Sequence, residues 1–118
     1  MLALVALLGA PAQQASAAFP GKNGRIVFNS NQDGNAEIYS INPNGSGETN
    51  LTNNPASDTQ PAVSPNGNRI AFSSDRDGDR DIYVMDAANG RVLDQITNGP
   101  ADEVQPAFAP DGDGIVFV

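Results

Sequence analysis

Short runs of apolar and polar residues alternate along most of the chain, with turn-forming residues between them. The runs Arg69–Ser74 (RIAFSS) and Asp81–Ala87 (DIYVMDA) are rich in β-branched and aromatic residues and are bounded by Gly, Asp and Asn. Such runs are typical of strands, whose side chains alternate between the two faces of a sheet. A helical repeat would instead place apolar residues three and four positions apart. The pattern therefore predicts an all-β fold.

The same pattern occurs more than once, at a nearly fixed distance. The stretch that starts at Gly24, GRIVFNSNQDGNAEIYSIN, aligns with NRIAFSSDRDGDRDIYVMD from Asn68 at an offset of 44 residues. The stretch from Asn50 aligns with the stretch from Gln95 at an offset of 45 residues. A period of this length is typical of β-propeller blades, which have roughly 40–45 residues and four strands each.

The middle repeat contains all four predicted strands of a blade. They are Gln60–Ser64, Arg69–Ser74, Asp81–Ala87 and Val92–Thr97. The turn signals between them are short, so consecutive strands should pair in antiparallel fashion. The central two strands carry apolar residues on both faces, which indicates a sheet packed between neighbouring sheets, as a propeller blade is.

The repeats divide the chain into parts of a propeller. Residues 18–118 form the partial propeller, with blade one at about 24–60, blade two at about 60–105 and the start of blade three at 105–118. Propellers close with roughly 4–8 blades. Further blades, or self-association of short chains, are therefore expected to complete the ring.

The first seventeen residues differ from the repeats. Leu2–Leu8 is wholly apolar, and Ala15-Ser16-Ala17 places small residues before a cleavage point after Ala17. This pattern predicts a signal-peptide helix at residues 1–17, with a truncated basic region because the first basic residue is Lys22. The apolar run is about half the roughly 20 residues that span a bilayer. We therefore expect a periplasmic or secreted protein without stable membrane insertion; a buried N-terminal helix is the alternative.

The run from Leu51 to Gly90 reads LTNNPASDTQPAVSPNGNRIAFSSDRDGDRDIYVMDAANG. Its motif positions are Leu51, Thr52, Pro55, Pro61, Ser64, Pro65, Gly67, Ile70, Phe72, Ser74, Asp77, Gly78, Ile82, Tyr83 and Asp86. At these positions the run resembles the TolB-type, WD-repeat-like propeller repeat. One departure is Asn66, where the family often has Asp, and the resemblance extends over about residues 24–118.

The resemblance implies an exported, non-catalytic propeller. Such propellers occur in the periplasmic TolB component of the Tol–Pal system and as non-catalytic domains of prolyl-oligopeptidase-like peptidases. TolB carries an α/β domain before its propeller, whereas the repeats here follow the signal segment directly, so a stand-alone or fragmentary propeller is expected. The main hypothesis is a scaffold that binds a protein or peptide. The alternative is an accessory domain of a larger hydrolase, with a catalytic domain after the repeats.

The amino-acid composition limits the kinds of binding and catalytic site that the chain can contain. The chain has 14 acidic and 6 basic residues and a net charge of −8, which disfavours binding to nucleic acid. It contains no Cys and no His, so Ser–His–Asp and Cys–His catalytic arrangements are excluded within this chain. We therefore predict that the chain has no catalytic residues and no organic cofactor.

One acidic stretch, SDRDGDRD, suggests a metal site. Its carboxylates are those of Asp75, Asp77, Asp79 and Asp81. Calcium binds several carboxylate and carbonyl oxygens, so these four residues are the candidate calcium ligands. The simpler interpretation is an Asp-Gly hairpin turn with solvated charges. In that interpretation the interleaved Arg76 and Arg80 form ion pairs with the carboxylates.

Overall fold

The computed structural model of the protein describes residues 24–118, and the predicted signal-peptide helix lies outside the described residues. Residues 24–118 form nine strands and contain no helix. In chain order the strands are β1 (Ile26–Ser30), β2 (Glu37–Ile41), β3 (Thr49–Asn50), β4 (Asp58–Val63), β5 (Arg69–Ser74), β6 (Asp81–Asp86), β7 (Val92–Gln95), β8 (Ala107–Phe108) and β9 (Ile115–Val116).

The strands form three separate antiparallel sheets, each in simple sequence order. Blade one is the sheet β1–β2–β3, blade two is β4–β5–β6–β7, and blade three is the hairpin β8–β9. Every neighbouring pair of strands is antiparallel. The predicted all-β fold with a four-stranded antiparallel blade is therefore confirmed.

The first strand of blade two begins earlier than its sequence pattern predicted. Strand β4 starts at Asp58, which pairs with Ser74, and the regular register is interrupted by a bulge between Thr59 and Ala62. Pro61, inside this bulge, has no N–H to contribute to a ladder, and this interruption conceals the strand character of Asp58 and Thr59 in the sequence. Strands β6 and β7 end one and two residues earlier than predicted.

The central strands of blade two are buried on both faces. Ile70 and Phe72 of β5 are fully buried, and so are Ile82 and Met85 of β6. The rings of Phe72 and Tyr83 stack across the two strands with centroids 5.8 Å apart. Burial on both faces confirms the prediction of a sheet sandwiched between its neighbours.

The blades are joined at one end by a recurring backbone hydrogen bond. The N–H of Asp58 donates to the carbonyl of Ala36 at 2.8 Å, and the N–H of Glu103 donates to the carbonyl of Arg80 at 2.7 Å. The first bond joins β4 to the turn between β1 and β2, and the second joins the segment before β8 to the turn between β5 and β6. Each bond therefore links a turn of one blade to the beginning of the next blade. We call this side of the molecule the turn end; it comprises residues 31–36, 51–57, 75–80 and 96–103.

Serines at strand ends satisfy backbone groups, as expected from their positions. The hydroxyl of Ser64 accepts from the N–H of Arg69 at 3.0 Å, and that of Ser74 accepts from the N–H of Arg76 at 3.3 Å. Both serines are buried. Their role is to satisfy buried backbone donors at the ends of the ladder.

Candidate functional site

The acidic stretch forms the tight turn between β5 and β6, at the turn end of blade two. The N–H of Gly78 donates to the carbonyl of Asp75 at 3.1 Å, and Gly78 has a φ of 125°. Blade one repeats this geometry, with a 3.1 Å bond from Gly34 to the carbonyl of Asn31 and a φ of 108° at Gly34. Glycine is required at both positions because other residues seldom adopt such a backbone.

Three of the four predicted calcium ligands come together in this turn. Carboxylate oxygens of Asp77, Asp79 and Asp81 lie within 4.8 Å of one another. Asp75 is directed elsewhere, and its Oδ1 accepts from the N–H of Ser57 at 2.8 Å. One oxygen of Asp79 is buried and accepts no hydrogen bond from any residue in the described part of the chain.

The expectation that Arg76 and Arg80 pair with these carboxylates is wrong. Arg76 crosses the Phe72 and Tyr83 rings at 5.3 and 4.9 Å and pairs with Asp58 at 3.1 Å. The stacked rings present a negative face, which holds the guanidinium over the blade instead of over the turn.

Arg80 points toward the first strand of its own blade. Its two terminal nitrogens donate to the hydroxyls of Thr59, Ser73 and Ser57 at 2.8–3.1 Å. Backbone position decides this direction, since Arg80 immediately precedes β6 and faces β4. The acidic cluster therefore has no arginine partner within 4.0 Å among residues 24–118.

Asp81 is also part of a structural network in its own blade. Its Oδ1 accepts from the Thr97 hydroxyl at 3.0 Å, and that hydroxyl accepts from the N–H of Ile82 at 2.9 Å. Asp81 itself is fully buried. Just after the end of β7, the Thr97 hydroxyl thus satisfies the backbone N–H of Ile82, and the Asp81 carboxylate accepts a hydrogen bond from that hydroxyl.

Blade one contains an equivalent network with different residues. Glu37 occupies the position of Asp81 and accepts from the Thr52 hydroxyl at 3.3 Å and from the Asn50 amide at 2.8 Å. Thr52 accepts from the N–H of Ile38 at 3.0 Å. Sequence reasoning did not assign this role to Glu37, although the identity of Thr52 and Thr97 in the repeat was a usable signal.

Burial and the turn carboxylates together suppress the ionisation of two tyrosines. Burial is the larger cause for Tyr39, and the hydrogen bond from its hydroxyl to Asp33 Oδ2 at 2.6 Å acts in the same direction, so that together they raise the pKa of Tyr39 to about 12. Burial likewise raises the pKa of Tyr83 to about 12, helped by the negative charge of Asp77. Both effects disfavour the phenolate, which would be a desolvated anion beside another anion.

Asp77 is stabilised in its ionised form. The hydrogen bond from the side-chain amide of Gln95, at 2.9 Å, lowers the pKa of Asp77 below its ordinary value. Gln95 and Asn50 occupy equivalent positions in the two blades, and each donates to the acidic residue of its own turn, Asn50 to Asp33 at 3.4 Å and Gln95 to Asp77 at 2.9 Å. A side-chain amide at this position therefore links the last strand of each blade to the turn that carries the acidic residue.

A second recurring site lies at Gln60, in the bulge of β4, and at Gln105, shortly before β8. Gln60 and Gln105 have positive φ angles of 57° and 56°, which are rare for residues other than glycine. The side-chain carbonyl of Gln60 accepts from the backbone N–H of Gln105 at 2.9 Å, so it joins blade two to blade three. The repeated Gln-Pro-Ala sequence signals these positions, but their backbone conformation and the bond between them were not predicted.

No helix within the described residues is long and apolar enough to cross a membrane. A search of curated proteins gave no significant match. Solved structures did match: a putative TolB from Agrobacterium tumefaciens has 29% sequence identity and a TM-score of 0.72 over 79% of this chain. TolB from Acinetobacter baumannii has 25% identity and a TM-score of 0.67 over 84% of this chain. The chain spans 33% and 25% of the lengths of these two structures.

The family comparison agrees with the repeat, the sheet order and the structural likeness. The model of the TolB beta propeller domain matches residues 6–118. That range is nearly the whole chain, and it includes the two interfaces between the described blades and the turns that contain Asp33 and Asp77. The chain belongs to the TolB beta propeller domain family.

Proposed function

We propose that this chain is a non-catalytic part of an exported β-propeller and acts as a scaffold that binds a protein or peptide in the cell envelope or outside the cell. The observation that carries the proposal is the arrangement of exposed carboxylates at the turn end. Asp33, Asp77 and Asp102 are exposed there, each on a different blade or blade connection. Loops fixed on a rigid scaffold are the usual position of binding residues.

Hydrogen bonds hold these carboxylates in place. Asp33 accepts from Tyr39, Asp77 accepts from Gln95, and Asp102 accepts from the N–H of Arg80 at 2.9 Å. Because each carboxylate already accepts a hydrogen bond within the protein, the turn end is preorganised and needs little further ordering when another molecule binds. A net charge of −8 favours a partner with a basic surface.

The binding face can be tested with two matched pairs of charge substitutions. Asp77→Asn with Asp102→Asn removes two negative charges from the turn end, whereas Asp111→Asn with Asp113→Asn removes the same number of charges from the opposite end. In each pair one of the replaced side chains accepts a hydrogen bond from a backbone N–H, and the asparagine carbonyl can keep it.

Binding of a fluorescein-labelled lysine-rich peptide would be followed by anisotropy at low salt. We expect the turn-end pair to weaken binding roughly fivefold more than the control pair. Equal loss from the two pairs would mean that only the net charge matters, and the proposed face would be abandoned.

Export is supported by the apolar segment and by the TolB likeness. Residues 1–23 fused to a reporter that is active only outside the cytoplasm should produce activity, and N-terminal sequencing should find cleavage after Ala17. A reporter that stays inactive, while an established signal peptide activates it, would remove the exported location from the proposal.

A calcium ion is a second candidate feature of the acidic turn. It is favoured by the three converging carboxylates and by the buried Asp79 oxygen that lacks a described donor. Calcium should then raise the thermal midpoint of the protein, because a ligand of the folded state stabilises it by mass action. Asp79→Asn, which introduces the residue that blade one has as Asn35, should abolish the increase. An unchanged midpoint in the unsubstituted protein would exclude this site.

A further inference from the structure

The two described blade interfaces differ at the end opposite the turn end. Between blades two and three, Arg69 reaches across the interface. Its Nη2 donates to the carbonyl of Gly112 at 3.0 Å, and its guanidinium lies 5.5 Å from the centre of the Phe108 ring. This arginine and this phenylalanine fill the space between the two blades.

Arg25 is the equivalent residue of blade one, and it does not cross its interface. Its Nε donates to the Ser40 hydroxyl at 2.9 Å and its Nη1 to Asn42 Oδ1 at 2.8 Å, and its Nη2 bonds to the carbonyl of Gly47. All of these partners belong to blade one. The guanidinium therefore forms its hydrogen bonds within its own blade and not with blade two.

Val63 is the equivalent of Phe108 and is smaller. Because Arg25 is bound to its own blade and no ring occupies the position of Val63, a cavity of about 540 Å³ is left between blades one and two, and Arg25 forms part of its lining. Val27, Val63 and Ala87 form its apolar part, and Gly24 and Asp86 lie on its lining. A volume of this size is within the range of small-molecule sites, roughly 300–1,000 Å³.

Asp86 provides the only acidic side chain in the described lining of this cavity. Its Oδ1 accepts from the N–H of Ala88 at 2.8 Å, whereas no residue of the described range donates to its Oδ2. Arg25 does not approach within 4.0 Å of it, since the described salt bridge involves other residues. One carboxylate oxygen thus remains available beside an apolar surface.

We propose that this cavity binds a small amphipathic ammonium compound. Its apolar body would contact Val27, Val63 and Ala87, and its ammonium group would bind the free oxygen of Asp86. Arg25 also lies on the lining, but its guanidinium already donates to side chains and carbonyls of its own blade, which disfavours the alternative of an anionic ligand. The net charge of −8 also attracts cations. This site goes beyond the scaffold proposed above and lies at the other end of the blades.

The probe is n-hexylammonium chloride, and its neutral isostere 1-hexanol is the control. Binding would be followed by NMR through the backbone amide signals of residues 63, 86 and 87 in the 118-residue protein. We expect the ammonium probe to shift these signals in a saturable way, with affinity that falls as salt is added. 1-Hexanol should bind about tenfold more weakly, since it has no charge to pair with the carboxylate.

Two substitutions test the cavity independently. Val63→Phe introduces the residue found at the equivalent position of blade three and should abolish binding by filling the space. Asp86→Asn keeps an acceptor for the N–H of Ala88 and should weaken binding about tenfold. Asp94→Asn, which removes an exposed carboxylate from β7, is the matched control and should leave binding unchanged.

Several outcomes would overturn the proposal. They are an absence of saturable shifts, equal binding of 1-hexanol, and equal affinities of the Asp86→Asn and Asp94→Asn proteins. Lys22 precedes Gly24 by two residues in the sequence, so Lys22→Met tests whether an ammonium group of the chain itself competes for the cavity. Binding that occurs only after Lys22→Met would show that the chain itself occupies the cavity, and the proposal would fail. Retained binding in the Val63→Phe protein, shown to be folded by its dispersed spectrum, would also refute it.

Discussion

The side-chain carbonyl of Gln60 accepts a hydrogen bond of 2.9 Å from the backbone N–H of Gln105, the residue at the same position of the next repeat. The two residues have nearly the same positive φ. The backbone N–H of each residue donates to a side chain of the preceding blade instead of to its own sheet. The previous interface has a longer bond of this kind, from the N–H of Gln60 to Asn29 Oδ1 at 3.3 Å. A side chain of one blade thus satisfies the irregular backbone of the next.

This relationship predicts that the two glutamines respond differently to the same substitution. Gln60→Ala should lower the free energy of unfolding by about 1 kcal/mol more than Gln105→Ala, because only Gln60 accepts the inter-blade bond. Both substitutions carry the same cost of a positive φ, so that cost cancels in the comparison. Urea unfolding of the two variants measures the difference, and equal midpoints would show that the bond contributes nothing to stability.

The raised tyrosine pKa values predict loss of stability at alkaline pH. The folded pKa of Tyr39 and Tyr83 is about 12, above the ordinary 10.0, so the folded state favours the neutral phenol. Their contribution is complete below pH 10 and is lost as the pH rises from about 10 to about 12. Titration of the absorbance near 295 nm reports the two residues directly, since the chain has two Tyr and no Trp.

The same titration measures how much Asp33 contributes to the raised pKa of Tyr39. Asp33→Asn should lower the pKa of Tyr39 toward 10 while leaving it above that value, because burial is the larger cause. Tyr83 should be unaffected. A titration of both residues near 10 in the folded protein would contradict the burial and the hydrogen bonds described for them.

Arg76 should be important for stability because its partner is fully buried. Asp58 has no exposed side-chain surface, and one of its two oxygens has no donor among the described residues. Arg76→Met should cost about 3 kcal/mol, since it leaves a buried carboxylate without its cation. Asp58→Asn in the same protein should recover part of this loss. Arg91→Met, at an exposed position, is the control; a loss of similar size there would point to net charge instead.

Alanine substitutions at Gly90 and Gly45 distinguish the stability cost of steric crowding from the cost of a left-handed backbone conformation. Both have positive φ, of 75° and 88°, but a Cβ at Gly90 would collide with the backbone carbonyl of Leu51, whereas Gly45 faces open space. Gly45→Ala should cost roughly 1–2 kcal/mol for the left-handed backbone alone. Gly90→Ala should cost clearly more, as measured by thermal or urea unfolding. Equal costs would show that the chain moves aside freely at Leu51.

Exposed apolar residues predict association of the 118-residue protein. Val116, Phe117 and Val118 are 64%, 42% and 70% exposed, next to a blade that has two strands in this structure. Open strand edges and apolar surface of this kind promote pairing between chains. Sedimentation velocity should show species that grow with concentration, and Phe117→Lys should reduce them. A concentration-independent monomer with a sharp melting transition would contradict this expectation.

The sequence by itself determined the repeat, the strand order and the positions of the turns. These features depend on local chemistry: alternating apolar residues form strands, and Asp-Gly and Asn-Gly pairs form tight turns wherever they occur. The period of 44–45 residues then fixed the blade and the family resemblance. The convergence of Asp77, Asp79 and Asp81 could also be anticipated, because they belong to one turn and the strand that follows it.

Only the tertiary structure decided where long side chains point and what they meet across an interface. Arg76 and Arg80 lie in the acidic stretch, yet they bind Asp58 and a group of hydroxyls, because the neighbouring strand and the stacked rings lie on that side. Arg69 and Arg25 are equivalent in sequence, yet one crosses to the next blade and the other returns to its own. Such choices depend on packing partners that are distant in the chain, and a local pattern contains no information about them.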